Sequence, residues 1–143
     1  MTTDPLDAEH VVRAAGSEPW TGMPAGTVLG HVHLHVGDID TGAAFYHDAI
    51  GFDKVVWTYP GALFLSAGGY HHHLGTNTWS RGPNPSPDQA RLLSWDIVVP
   101  TAGDAEQAAA SVSAAGYDIQ REDDGAFRAE DPWSTAVRIV PGT

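Results

Sequence analysis

Two stretches of this chain carry the same order of signals, one after the other. A run with a two-residue apolar period closes at Val36, and a second such run closes at Val99, 63 residues later. A helix-like stretch follows each run and ends at Gly51 and at Gly116, 65 residues apart. Glycine is the usual residue just past a helix C-terminus. The small mismatch between the two spacings fits one short insertion. A supersecondary unit recurring at a fixed period is a duplication, and one copy cannot bury its sheet face alone. The period therefore predicts two copies of one motif packed into a single unit.

Each copy reads as βαβββ. In "VLGHVHLHV" the two-residue period puts His31, His33 and His35 on one face and Val32, Leu34 and Val36 on the other. "DIDTGAAFYHDAIG" then reads as a helix, with Asp40 or Thr41 as cap and Phe45/Ala49 and Tyr46/Ile50 paired at i, i+4. "KVVWTY", "ALFLSA" and "YHHHLGTN" read as strands, separated by Pro60-Gly61 and Gly68-Gly69. A proline-rich segment from Ser80 to Ala90 reads as an irregular loop. The order then repeats: strand "RLLSWDIVVP", helix "GDAEQAAASVSAAG", and strands "YDIQRED", "AFRAED" and "TAVRIV". The expected class is α+β, with repeats at about 28–79 and 92–140 joined into a half-open mixed β structure. One domain is expected over 28–143. Residues 1–27 read as an N-terminal arm, with Asp4 as N-cap and Pro5 at the first helical position of a short helix, then an extended linker.

Charge narrows the partners. Seven Lys and Arg stand against 18 Asp and Glu, a formal charge of −11, which repels phosphate backbones and anionic lipid. Nucleic acid and membrane surfaces are therefore not expected partners. No apolar run approaches the roughly 20 residues of a membrane span, and the N-terminal residues lack the basic start and apolar stretch of a signal peptide. The chain has no cysteine, hence no disulfide framework and no thiolate chemistry. A cytoplasmic location is expected.

The two histidine clusters, "GHVHLHVG" and "GGYHHHLG", fall on strands that the motif brings together. With "FYHDAIGFD", "NTW" and "EDPW" in the same order, the chain resembles the vicinal oxygen chelate superfamily of glyoxalase I, extradiol dioxygenases and bleomycin-resistance proteins. "GHVHLHVGDID", "PGALFLSAGGYHHHLGTNTW" and "EDPW" are similar to the C-terminal half of two-domain catechol-2,3-dioxygenase-like proteins. The resemblance covers about residues 28–140, and the arm resembles the linker between the halves of those relatives. It implies a divalent metal ion, Fe(II), Mn, Ni or Zn, held by two His and one Glu, with open positions for both oxygens of a chelating substrate.

Carried over by residue, His31 takes the place of the first ligand. Ser94 stands where the second histidine is expected, and Arg138 where the glutamate is expected. Serine is a poor ligand and arginine is none. The glyoxalase-like arrangement instead implies His31 with His73 as metal ligands. The resemblance implies His72 as the acid–base histidine, and alternation sets His72 and His73 on opposite faces, with a one-residue slip left open. His33, Ser94 and Arg138 are the candidate substrate-binding residues. Arg138 could hold a carboxylate or enolate, or be neutralised by Glu130, Asp131 or Asp96.

Two functions follow. One is a metal-dependent enzyme acting on a small substrate with vicinal oxygens, catechol-type ring cleavage included. The other is a metal-free small-molecule-binding domain of the resistance type. The second is motivated by Ser94 and Arg138, and by the ability of neutral imidazoles to bond one another without metal. A half-length relative would expose the surface that the missing half covers. A homodimer is therefore expected, with the arm crossing to the neighbour and Trp20 as its anchor.

Overall fold

The computed structural model describes residues 4–17, 19–80, 86 and 88–142. The first repeat contains β1 (Val32–His35), α2 (Ile39–Ala43), β2 (Asp53–Val56), β3 (Ala62–Ser66) and β4 (Leu74–Asn77). The second contains β5 (Ser94–Val99), α3 (Ala102–Ala114), β6 (Ile119–Arg121), β7 (Phe127–Glu130) and β8 (Ala136–Pro141). Helix α1 (Ala8–Ala15) precedes both. Each repeat forms one four-stranded sheet, in the order β1-β4-β3-β2 and β5-β8-β7-β6. The first strand of each repeat pairs in parallel with its last, and the remaining pairs are antiparallel. The mixed sheets and the identical orders are those of the expected α+β duplication. Gly51 (φ +102°) and Gly116 (φ +88°) end their helices in the left-handed region, where a side chain is strained.

The helix starts differ from the expected ones. Asp7, not Asp4, caps α1, accepting from the His10 N–H at 2.8 Å. Asp38, not Asp40 or Thr41, caps α2, accepting from the Thr41 N–H at 2.8 Å and the Thr41 hydroxyl at 2.7 Å. Asx side chains serve a helix whose free N–H groups lie two or three residues on, so the acceptor must precede the first turn. Thr101 and Asp104 form a reciprocal capping box at α3. Beyond α2 the helix widens into a π-helical segment, Ala44–Ala49, in which the Ile50 N–H reaches back to Phe45 O. The wider turn lets the adjacent rings of Phe45 and Tyr46 both face inward, each with no exposed surface.

One core joins the repeats. Leu34, Val36, Leu63, Leu65 and Leu74 from the first sheet meet Phe127, Val137 and Ile139 from the second, with Phe45 and Tyr46 and the α3 residues Ala105, Ala109 and Val112 between them. Two contacts lock this arrangement. The Tyr46 hydroxyl donates to the buried Asp131 Oδ2 at 2.7 Å, 85 residues away. The Trp133 indole lies so close to Gly37 that a Cβ there would be 2.5 Å from its Nε1.

The arm is unlike the body. Helix α1 buries none of its residues, and Leu6, Val12, Trp20, Met23, Val28 and Leu29 are exposed. The irregular loop expected from Ser80 to Ala90 lies largely outside the described residues. Among the described residues no helix is long and apolar enough to cross a membrane.

Substituting Tyr46→Phe removes only the hydroxyl and leaves Asp131 Oδ2 buried without that donor. The variant is expected to keep its circular dichroism spectrum and to lose about 1–3 kcal/mol in urea denaturation. An unchanged midpoint would show that the bond contributes nothing to holding the repeats together.

Candidate functional site

The first sheet turns Leu34 and Val36 toward the helices and leaves His31, His33 and His35 exposed on its other face. The parallel register sets His33 across from Gly75 and His35 across from Asn77. The antiparallel pairing of β3 with β4 brings Phe64 alongside Gly75. The His33 ring stands 6.0 Å from Phe64 and 6.0 Å from Trp79, and Tyr59 stands 6.0 Å from Trp79. Imidazoles and aromatic rings therefore line one open face.

His71, His72 and His73 do not belong to β4. The strand begins at Leu74, after an irregular stretch that follows Gly68 and Gly69. Strand alternation does not govern these residues, and the expected placement changes. The ring against His31 is that of His72, at 4.7 Å between centroids, and His72 also meets the edge of Phe64 at 5.1 Å. His73 instead stacks near Phe52 (6.4 Å, 29°), and its Nδ1 accepts the Ala67 N–H at 3.2 Å. His31 and His73 open on a common groove of about 760 Å³ that β5 also lines, but no ring contact joins them among the described residues.

Two imidazoles of this face, His33 and His72, are biased toward the neutral form. Burial, and then the neighbouring His31, His71, His33 and His73, hold the His72 imidazole below its ordinary value. Burial, then His35 and His31, do the same to His33. His72 is 9% exposed, and its Nδ1 is buried without a hydrogen-bond partner. Asn77, which sequence reasoning passed over, bonds both His33 Nε2 (2.6 Å) and His35 Nδ1 (2.8 Å). The parallel register that joins it to His35 is not visible in a one-dimensional period.

The second sheet carries different chemistry on its equivalent positions. Ser94 is exposed at the start of β5 and lines the same groove as His31. Arg138 donates through Nε and Nη2 to Glu122 Oε2 (2.9 and 2.6 Å), through Nη1 to Asp96 Oδ2 (2.9 Å), and through Nη2 to Asp124 Oδ2 (3.2 Å). The guanidinium expected to hold a substrate anion is thus occupied by three of the chain's own carboxylates. Of the three neutralising groups expected, only Asp96 serves; Glu130 pairs with Arg128 and Asp131 with Tyr46. A three-ligand metal centre of the kind the resemblance implies does not fit these residues. The second position is a serine, the third a paired cation, and among the described residues no group of three His, Asp or Glu is placed to hold an ion. What remains is the pair of imidazoles His31 and His72.

Comparison with known proteins agrees with the fold. The model of the Glyoxalase/Bleomycin resistance protein/Dioxygenase superfamily matches residues 28–136, and the chain belongs to that superfamily. Catechol-2,3-dioxygenase of Bacillus subtilis (strain 168) is 44% identical over 140 residues, which cover 95% of this chain and 48% of that protein. The chain thus spans about half the length of the curated relative it matches. Among solved structures, a lactoylglutathione lyase from Agrobacterium tumefaciens aligns with a TM-score of 0.59 at 17% identity, covering 83% of this chain and 96% of that one. A glyoxylase/bleomycin resistance protein/dioxygenase domain from Frankia sp. EAN1pec aligns with a TM-score of 0.62 at 18% identity, covering 82% and 98%. Likeness at such identities shows the shared fold.

Because the folded chain favours neutral His33 and His72, the unfolded chain binds more protons once pH falls to about 6.5, the ordinary imidazole value. Stability from this source is present above that pH and is lost below it, until the lowered folded values are passed. Urea midpoints measured from about pH 8 to about pH 5 should fall, and fall less in His72→Gln. Equal slopes in the two proteins would mean that His72 is not held neutral by the fold.

Proposed function

We propose that this chain binds a small aromatic ligand with adjacent oxygens on the histidine face of its first sheet, as a ligand-binding member of the superfamily. The observation that carries this reading is His72: buried, neutral, lacking a partner at Nδ1, and set against His31 and Phe64. In either neutral tautomer that nitrogen can meet a hydroxyl, accepting from it or donating to it. Phe64 and Trp79 supply flat apolar surface for a ring, and His33 flanks it.

Catechol is the natural first probe, given the 44% identity to half of a catechol-2,3-dioxygenase. Isothermal titration should detect catechol binding, weakened about tenfold or more in His72→Ala, the cost of one buried hydrogen bond with its packing. Equal affinity in the variant would remove this site from consideration. The same identity favours a second reading, a metal-dependent dioxygenase-type enzyme that uses His31 and His72 and takes a third ligand from outside the chain. Protein purified without a histidine tag would then carry stoichiometric divalent metal, absent from a His31→Ala, His72→Ala double variant. Metal-free wild-type protein that still binds catechol supports ligand binding alone.

We propose further that the chain works as a homodimer. The support is the exposed Leu92, Leu93 and Val98 beside the groove and the apolar residues of the arm. Light scattering should give about twice the 15.1 kDa chain mass at micromolar concentration, and a monomer there would reject the dimer.

A further inference from the structure

We infer that Asn77 is a positioning residue that fixes which nitrogen of His33 carries the proton. The inference deepens the ligand-binding reading, on which only its affinity consequence rests. The two ends of a side-chain amide are chemically opposite, and a neighbour of known polarity decides which is which. Here that neighbour is the backbone N–H of Trp79, which can only donate and lies 3.0 Å from Asn77 Oδ1. The atom it meets is therefore the oxygen. The same oxygen lies 2.8 Å from His35 Nδ1, which must carry a hydrogen. The amide nitrogen then points at His33 Nε2, 2.6 Å away, and it too can only donate. His33 Nε2 must be bare. An imidazolium, or the tautomer with hydrogen on Nε2, would set two donors against each other. Only the neutral ring with hydrogen on Nδ1 satisfies the contact.

Two further features hold the arrangement. Asn77 is 2% exposed, so its amide has little access to water as an alternative partner. Gly75 supplies the space: a Cβ there would lie 2.9 Å from His33 Nδ1 and 3.1 Å from Cε1, and the nearest atoms it would meet all belong to His33. The ring thus rests on the backbone of β4 while Asn77 grips its far nitrogen. His33 is consequently a neutral ring whose Nε2 lone pair is engaged, whereas His72 Nδ1 keeps no partner. The histidine face is divided by this amide into a ring with a fixed tautomer and a ring free to answer a ligand hydroxyl.

Nitrogen-15 NMR of the histidine-labelled 143-residue chain at neutral pH tests the assignment, because long-range N–H correlations distinguish the two tautomers. His33 should show hydrogen on Nδ1. Asn77→Asp replaces the donating amide with an accepting carboxylate, and the His33 hydrogen should move to Nε2. Gly75→Ala, whose Cβ would meet His33 first, should push the ring off the amide and give a mixed pattern. Wild-type protein with hydrogen on His33 Nε2, or an Asn77→Asp pattern identical to wild type, overturns the inference. If Asn77→Asp fails to fold, the wild-type spectrum and Gly75→Ala decide. Catechol affinity should drop about tenfold in Gly75→Ala. Absence of catechol binding in every form would sink the ligand-binding reading and leave the tautomer result standing.

Discussion

The buried Asp131 carboxylate holds the two repeats in one arrangement. Its Oδ2 accepts from the Tyr46 hydroxyl of the first repeat, and its Oδ1 accepts the Trp133 and Thr135 N–H groups of its own turn, at 2.9 and 2.8 Å. A carboxylate taken out of water is costly unless its oxygens are satisfied, and these donors come from both repeats. The turn they secure includes Ser134 at φ +66°, a conformation that a non-glycine residue holds only when its surroundings impose it. The carboxylate imposes it, and thereby aims Trp133 at the start of the first repeat's helix. Tyr46, in turn, is kept protonated by burial and by the adjacent carboxylate, so the bond keeps its donor.

Once the repeats are fixed through their helix-covered faces, the opposite faces are left for chemistry. The core cluster contains residues from both sheets and from the helices, and it consumes one side of every central strand. Side chains on the remaining side cannot add to that core. Their identities answer to other demands: imidazole and aromatic rings on the first sheet, and an arginine held by carboxylates on the second.

The duplication was legible because it rests on local rules: two-residue alternation in β1 and β5, and glycines closing both helices. The same rule correctly grouped His31, His33 and His35. It failed at His71–His73, because those residues precede the first paired residue, Leu74, and follow a turn built on Gly68 and Gly69. Alternation is a property of paired backbone, and pairing is a tertiary fact. The partners of Arg138 were hidden for a related reason. Glu122 and Asp124 reach it through the β6–β7 hairpin, and no periodicity in the sequence connects positions 16 and 14 residues apart. Asn77 was hidden because its meaning depends on a parallel register between strands more than 40 residues apart.

The duplication also shows how the open faces of the two sheets came to differ. His33 pairs with Gly75 in the first sheet, and Asp96 pairs with Arg138 at the corresponding place in the second. Both members of the pair are shifted by the same 63 residues. In the first repeat the absence of a side chain at Gly75 lets the His33 imidazole lie against the backbone. In the second repeat an arginine stands at the matching position, and its charge is met by Asp96, Glu122 and Asp124. An arginine engaged by three carboxylates stands where the resemblance implies an anionic ligand, and a guanidinium has no lone pair to give a metal ion. Symmetry of the backbone has been kept while the chemistry of the two faces has separated: one is closed by its own ion pairs, and the other is open and lined with rings.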